Sequence, residues 1–152
     1  MIKKITKIYL ILFLFSLVSC GFEPLNKTIN LDELIVSEKI FTGNGKINNK
    51  IYNKLNIKED KNKSGYSLKL FSESKVSTLA KDTSGNTTSY KSYILINVSV
   101  IKNGKLIKNK IFEKSITYPN LTNKFELKNY QRQVENNLIN STVQEIRIFL
   151  AP

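Results

Sequence analysis

The chain has 152 residues, with 24 Lys and Arg against 12 Asp and Glu, for a formal net charge of +12. That length supports one folded domain, and 41% hydrophobic with 10% aromatic residues excludes a disordered polymer. With no His and one Cys, the sequence excludes histidine acid–base chemistry and an intrachain disulfide, so the fold must rest on its apolar core.

The first twenty residues read MIKKITKIYLILFLFSLVSC. Lys3, Lys4 and Lys7 form a basic start, and Ile8 to Val18 are apolar apart from Ser16. A run of about 11 residues suits the core of a secretory signal peptide and is too short for a bilayer span, which needs about 20. Leu17-Val18-Ser19-Cys20 then reads as a lipobox. Small or apolar residues fit the peptidase, the Cys20 sulfur takes a diacylglyceryl group, and cleavage before it exposes an amine for a further acyl chain. Two or three chains, at about 0.8 kcal/mol per buried methylene, anchor a protein durably. The expected organisation is a signal peptide over 1–19, a lipidated tether over 20–30 and a single α/β domain over 31–152. Gly21, where Asp would retain a lipoprotein in the inner membrane, is compatible with sorting to the outer membrane, on its periplasmic side. Removing the three leader lysines leaves +9 on the remainder, so the basic charge belongs to the domain. Such a surface favours anionic partners. Lys, Asn and Ile are also the residues that AT-rich coding enriches.

Ile35 to Phe41 reads as a first strand. Asn44-Gly45 interrupts it, and Ile47, Ile51 and Leu55 then recur every four residues, one face of a short helix. Lys58 to Gly65 reads as a charged loop. Tyr66, Leu68 and Leu70 alternate with polar residues, a strand pattern that runs on past Val76. Lys81 to Ser89 is polar and reads as a hairpin connection. Tyr90 to Ile101 alternates most clearly. Asn103-Gly104 supplies the pair a tight turn needs, because both central residues require positive φ. Leu106 to Tyr118 returns, closed by Pro119. Asn123 with Glu126 reads as an N-cap and capping-box partner. Leu127, Tyr130, Val134, Leu138, Ile139, Val143, Ile146 and Leu150 mark the stripe of a long last helix.

This order predicts an α+β fold, a two-layer sandwich with a four-stranded, mostly antiparallel sheet packed on two helices. If pairing continues unbroken from the Asn103-Gly104 turn, Ile101 faces Leu106, Ser99 faces Lys108, Asn97 faces Lys110 and Tyr93 faces Lys114. Ile96, Val98, Val100, Ile107 and Ile111 then point toward the helices. Lys108, Lys110 and Lys114 share the other face, with Lys102 and Lys105 beside the turn. A one-residue slip would undo the pattern.

Cys20-Gly21-Phe22-Glu23-Pro24-Leu25 resembles the CGFxPLY opening of the lipopolysaccharide-assembly lipoprotein family, with Asn26 in place of the family's Tyr. Gln144-Glu145-Ile146-Arg147-Ile148-Phe149-Leu150 is similar to that family's closing helix, and Ala80-Lys81-Asp82 with Tyr90 to Val100 resembles its middle hairpin. The resemblance implies a four-stranded sheet with two helices, and a subunit that plugs a large outer-membrane β-barrel translocon. It also implies help in that barrel's assembly and binding of lipopolysaccharide on its way to the cell surface. Lys102, Lys105, Lys108, Lys110 and Lys114 are the expected contacts to phosphorylated glycolipid.

The sequence holds no metal-ligand cluster and no phosphate-cradling glycine motif, so no enzyme, metal or cofactor is expected. Nucleic-acid binding fits the charge but conflicts with export. The alternative function is an auxiliary lipoprotein of another envelope complex, of lipid-transport or secretin-pilot type. A structural lipoprotein would be expected to bind peptidoglycan, for which there is no motif.

Overall fold

The computed structural model describes residues 31, 34–61 and 65–151. Cys20 and the segments read as signal peptide and tether lie outside the described residues. The elements are β1 (Ile35–Gly43), α1 (Gly45–Leu55), β2 (Lys58–Glu59), β3 (Tyr66–Lys81), β4 (Thr87–Lys102), β5 (Lys105–Pro119) and α2 (Lys124–Leu150). They form one sheet in the order β2-β1-β3-β4-β5, with both helices packed against its core face. β1 runs parallel to β2 and β3, while β3, β4 and β5 are antiparallel.

The α+β, two-layer expectation holds, but the sheet has five strands, not four. The fifth, β2, lies in the segment read as a charged loop. Two residues pair with Ile35 and Val36 through the backbone, so no side-chain alternation marks them. Glu59 is fixed there by an ion pair with Lys39 at 2.7 Å. That hydrogen bond holds the Glu59 carboxyl below its usual range.

Local chemistry explains the element ends. At Gly43 φ is +76°, and an added Cβ would lie 2.3 Å from the Ser72 carbonyl oxygen, so the turn from strand to helix requires glycine. Asn44 caps α1 by accepting from the Ile47 N–H at 3.2 Å. Asn123 caps α2 by accepting from Phe125 and Glu126 N–H at 2.9 and 3.3 Å. Asn103 (φ 51°) and Gly104 (φ 74°) take the left-handed conformations expected of the β4–β5 turn.

The core fills the space between the sheet and the helices. Ile94, Ile96, Val98 and Val100 of β4 and Leu68 and Leu70 of β3 meet Ile47, Ile51 and Leu55 of α1 in one buried cluster. From α2 the cluster takes Val134, Leu138, Ile139, Val143, Ile146 and Leu150. The first turns of α2 are less covered: Leu127 is half-buried and Tyr130 is exposed, its ring edge-on to Tyr118 at 5.5 Å.

The predicted β4–β5 register fails three residues from the turn. Ile101 pairs with Leu106, but Val100 pairs with Lys108, leaving Ile107 as the extra residue of a β-bulge. Beyond it every β5 side chain changes face. Asn97 faces Ile111, not Lys110; Ser99 faces Asn109, not Lys108; Tyr93 faces Ser115, not Lys114. Ile111 is therefore on the uncovered face and not toward the helices, and Ile107 is exposed in the bulge. Phe112 is buried in place of Ile111, edge-on to Phe149 of α2 at 5.9 Å, and Tyr118 is buried further along β5.

Candidate functional site

The bulge turns Lys108, Lys110 and Lys114 to the helix side of the sheet, where Lys102 and Lys105 at the turn already lie, so the five form a row along β5 and its turn. Lys108, Lys110 and Lys114 pair with the buried Val100, Val98 and Ile94. Lys102 pairs with Lys105 and lies over the Tyr66 ring, 4.8 Å from its centroid. Lys108, Lys110 and Lys114 are therefore grouped as expected, but on the opposite face from the one expected.

Two of the five are engaged by α2. The Lys108 ammonium donates to the Phe149 carbonyl at 3.3 Å and the Ala151 carbonyl at 2.8 Å. A cation there complements the negative end of the helix dipole and satisfies carbonyls that have no helical partner. Lys114 forms an ion pair with Glu145. Lys110 sits over the Phe112 ring at 5.1 Å, while Lys102, Lys105 and Lys110 remain exposed. The row is thus anchored at two positions and open to solvent at three.

The opposite face carries the signal that the sequence pattern placed elsewhere. Phe71, Asn97 and Ile111 form one cross-strand row, with Leu95 and Tyr93 along β4 on one side and Ile101 with Leu106 on the other. Phe71, Leu106 and Ile111 are exposed, at 36%, 58% and 53%. No described helix covers them. Asn97 Oδ1 is buried beneath this row and has no hydrogen-bond partner among the described residues. A buried amide oxygen without a donor costs about 1–3 kcal/mol, so the face holds an unmet acceptor as well as uncovered apolar area.

A third feature lies where β3 outruns β1. A cavity of about 310 Å³ opens between Ser74 and Val76 of β3, Ile94 of β4, and Lys128, Arg132 and Leu138 of α2. No described helix, including the 27-residue α2, is long and apolar enough to cross a membrane.

No family model matches the chain, and no curated protein matches it in sequence. Solved structures do match it in fold. A lipoprotein B from Nitrosomonas europaea aligns with a TM-score of 0.57 and 12% identity, over 76% of this chain and 84% of that one. A Caulobacter crescentus protein described as a candidate lipoprotein gives 0.53 and 13%, over 76% and 86%. A minor lipoprotein of Acinetobacter baumannii gives 0.52 and 11%, over 74% and 90%. The chain shares their fold. At such identities the likeness carries the arrangement of strands and helices and no residue-level role.

Proposed function

We propose that this protein is an outer-membrane lipoprotein, held on the periplasmic side by acyl groups on Cys20, that partners a large β-barrel translocon in placing lipopolysaccharide at the cell surface. The lipobox, the CGFEPL opening and a fold shared with bacterial lipoproteins support the envelope part of this reading. The uncovered sheet face carries the partner part. Phe71, Ile111 and Leu106 suit a protein wall that offers apolar side chains. The lysine row supports the glycolipid part. Lys is a mobile point charge with three donors, able to follow a phosphate without fixed two-point geometry. Lys102, Lys105 and Lys110 are exposed, the first and last over aromatic rings, while Lys108 and Lys114 hold the row against α2 and add to its field.

The test is purification of the full-length protein from membranes in mild detergent, with identification of what accompanies it. A large β-barrel protein is the expected companion, lost when Phe71 and Ile111 are both changed to Ser. A secretin or a lipid-transport complex in its place would overturn the reading. For the glycolipid, Lys105→Glu with Lys110→Glu is expected to weaken lipopolysaccharide binding strongly at low salt and less at high salt, because exposed charges are screened. Unchanged binding at both salt levels would reduce the row to a solvated edge.

A further inference from the structure

β3 is paired on both sides only over its first half. β1 covers it from Tyr66 to Ser72, and the chain then leaves the sheet at Gly43 to begin α1. β4 stays paired with β3 as far as Lys81. From Glu73 to Lys81, β3 is therefore an edge about 30 Å long, with no strand beside it among the described residues.

The direction of the backbone groups on this edge can be assigned. The Ser72 carbonyl accepts from the Asn44 N–H at 2.8 Å, so it points to the side β1 occupies. Backbone groups alternate along a strand, which directs N–H and C=O of Ser74, Val76 and Thr78 to the same, open side. Beyond Thr78 a register shift around Leu79 ends the regular pattern. Three consecutive outward residues give three donors and three acceptors spaced for one more strand.

The surroundings specify what that strand would carry. Val76 beside the edge is 49% exposed, and the cavity between it and α2 offers room for side chains on the helix side. Lys128 and Arg132 of α2 line that cavity against one acid, Glu135, while Lys75, paired with Tyr93, stands beside the edge on the other face. Lys75 and Lys128 have no ion-pair partner among the described residues. A second copy of this chain would bring the same cations to the edge, on a protein that carries +9 without the leader lysines. Like charges placed opposite one another across a sheet are destabilising.

We propose that the open edge of β3, from Ser74 to Thr78, binds an extended acidic peptide segment of a partner protein as an added strand, with its carboxylates on the helix side, set against Lys128 and Arg132. This site is separate from the lysine row and from the uncovered sheet face, and the proposal does not depend on the glycolipid reading. Main-chain hydrogen bonds supply most of the affinity in such additions, and the flanking charges select the sequence.

The test uses full-length protein in mild detergent and labelled ten-residue peptides that alternate Val with Glu or Val with Lys. The Glu peptide is expected to bind, and the Lys peptide to bind at least about tenfold more weakly at low salt. Amide exchange at Ser74, Val76 and Thr78 should slow when the Glu peptide is bound. Val76→Pro removes an N–H that faces the open side and leaves the β4 ladder intact, so the fold should survive while affinity falls about tenfold. Lys128→Glu with Arg132→Glu should give a similar loss that shrinks at high salt. Three results would overturn the proposal: equal binding of the two peptides, unchanged binding by Val76→Pro, or bound Glu peptide without protection of the three amides. Protection of those amides in the free protein, or only as its concentration rises, would show that the chain itself or a second copy fills the edge, and would overturn it as well.

Discussion

The two faces of the sheet are built from the same strands and share almost no physics. On the helix side, Leu68, Leu70, Ile94, Ile96, Val98, Val100 and Phe112 are each at most 3% exposed. On the other side, Phe71, Leu106 and Ile111 stand in solvent around a buried, unpaired Asn97 oxygen. The first face is finished within the chain. The second keeps apolar area that no other described residue covers, around a buried amide oxygen without a donor. The difference shows that apolar residues in a strand do not by themselves identify a core, since the same residue types serve packing on one face and suit association on the other.

The bulge sets which is which in β5, and the aromatic it turns inward should show the largest effect. Phe112→Ala, at a buried position against Phe149, should cost about 3–5 kcal/mol. Deleting Ile107 joins Leu106 to Lys108 and keeps every later pair, Ile96 with Phe112 included, so it should cost much less. Urea midpoints that fall equally in the two variants would mean that Ile107 is not simply the extra residue of the bulge.

Truncations on the two faces sharpen the contrast. Ile146→Ala, at a fully buried position of α2, should cost about 2–5 kcal/mol. Ile111→Ala, of the same chemistry on the open face, should change stability by no more than about 0.5 kcal/mol. Comparable losses in denaturant unfolding would show that the open face is covered in the isolated protein.

Much of the covered face could be read from the residues. The alternation of β4 and the recurrence from Val134 to Leu150 each mark one buried surface, and Asn103-Gly104 and Asn123 act through their own backbones. What could not be read depends on pairing at a distance. Leu106-Ile107 and Ile111-Phe112 are apolar doublets, so each offers an apolar side chain to either face, and alternation cannot detect an extra residue between them. β2 is recognised by the backbone of β1 and by the Lys39 side chain, neither of which its own two residues announce. The length of the β3–β4 arm was also hidden, because Ser77 to Ser89 are mostly polar and pair without a buried face. The lysines could be found by charge, but the helix end that engages Lys108 could not.

That helix end gives a smaller effect. Lys108→Met keeps the stem and removes the cation from the Phe149 and Ala151 carbonyls, at a cost of about 1 kcal/mol. Lys105→Met, two residues from the bulge with no such partner, should be neutral within about 0.5 kcal/mol. Equal values in thermal unfolding would mean that the row is not anchored by α2.

At the tip of the β3–β4 arm neither face is covered, and hydrogen bonding must do what burial does elsewhere. Asp82 accepts from the Asn86 N–H and the Ser84 N–H at 2.9 Å each, and from the Asn86 side chain at 3.2 Å. These bonds, led by that from the Asn86 backbone, hold the Asp82 carboxyl below the ordinary aspartate range. A carboxyl depressed in the folded state stabilises the loop above its unfolded value, and that contribution is lost as pH falls through the folded one. Neutral pH should therefore show the tip fully ordered, with the loss confined to the acid side of the usual aspartate range. The effect is local, because an exposed carboxylate leaves the distant core unchanged. Amide exchange at Ser84 and Asn86, corrected for intrinsic rates, should accelerate on acidification while amides of Ile96 and Val98 stay protected. Asp82→Asn keeps an acceptor oxygen and loses the charge, so it should retain part of the protection and remove its pH dependence. Asp82→Ala should lose both. Identical exchange in the two variants at neutral pH would mean that the turn at Gly85 holds the tip without the carboxylate.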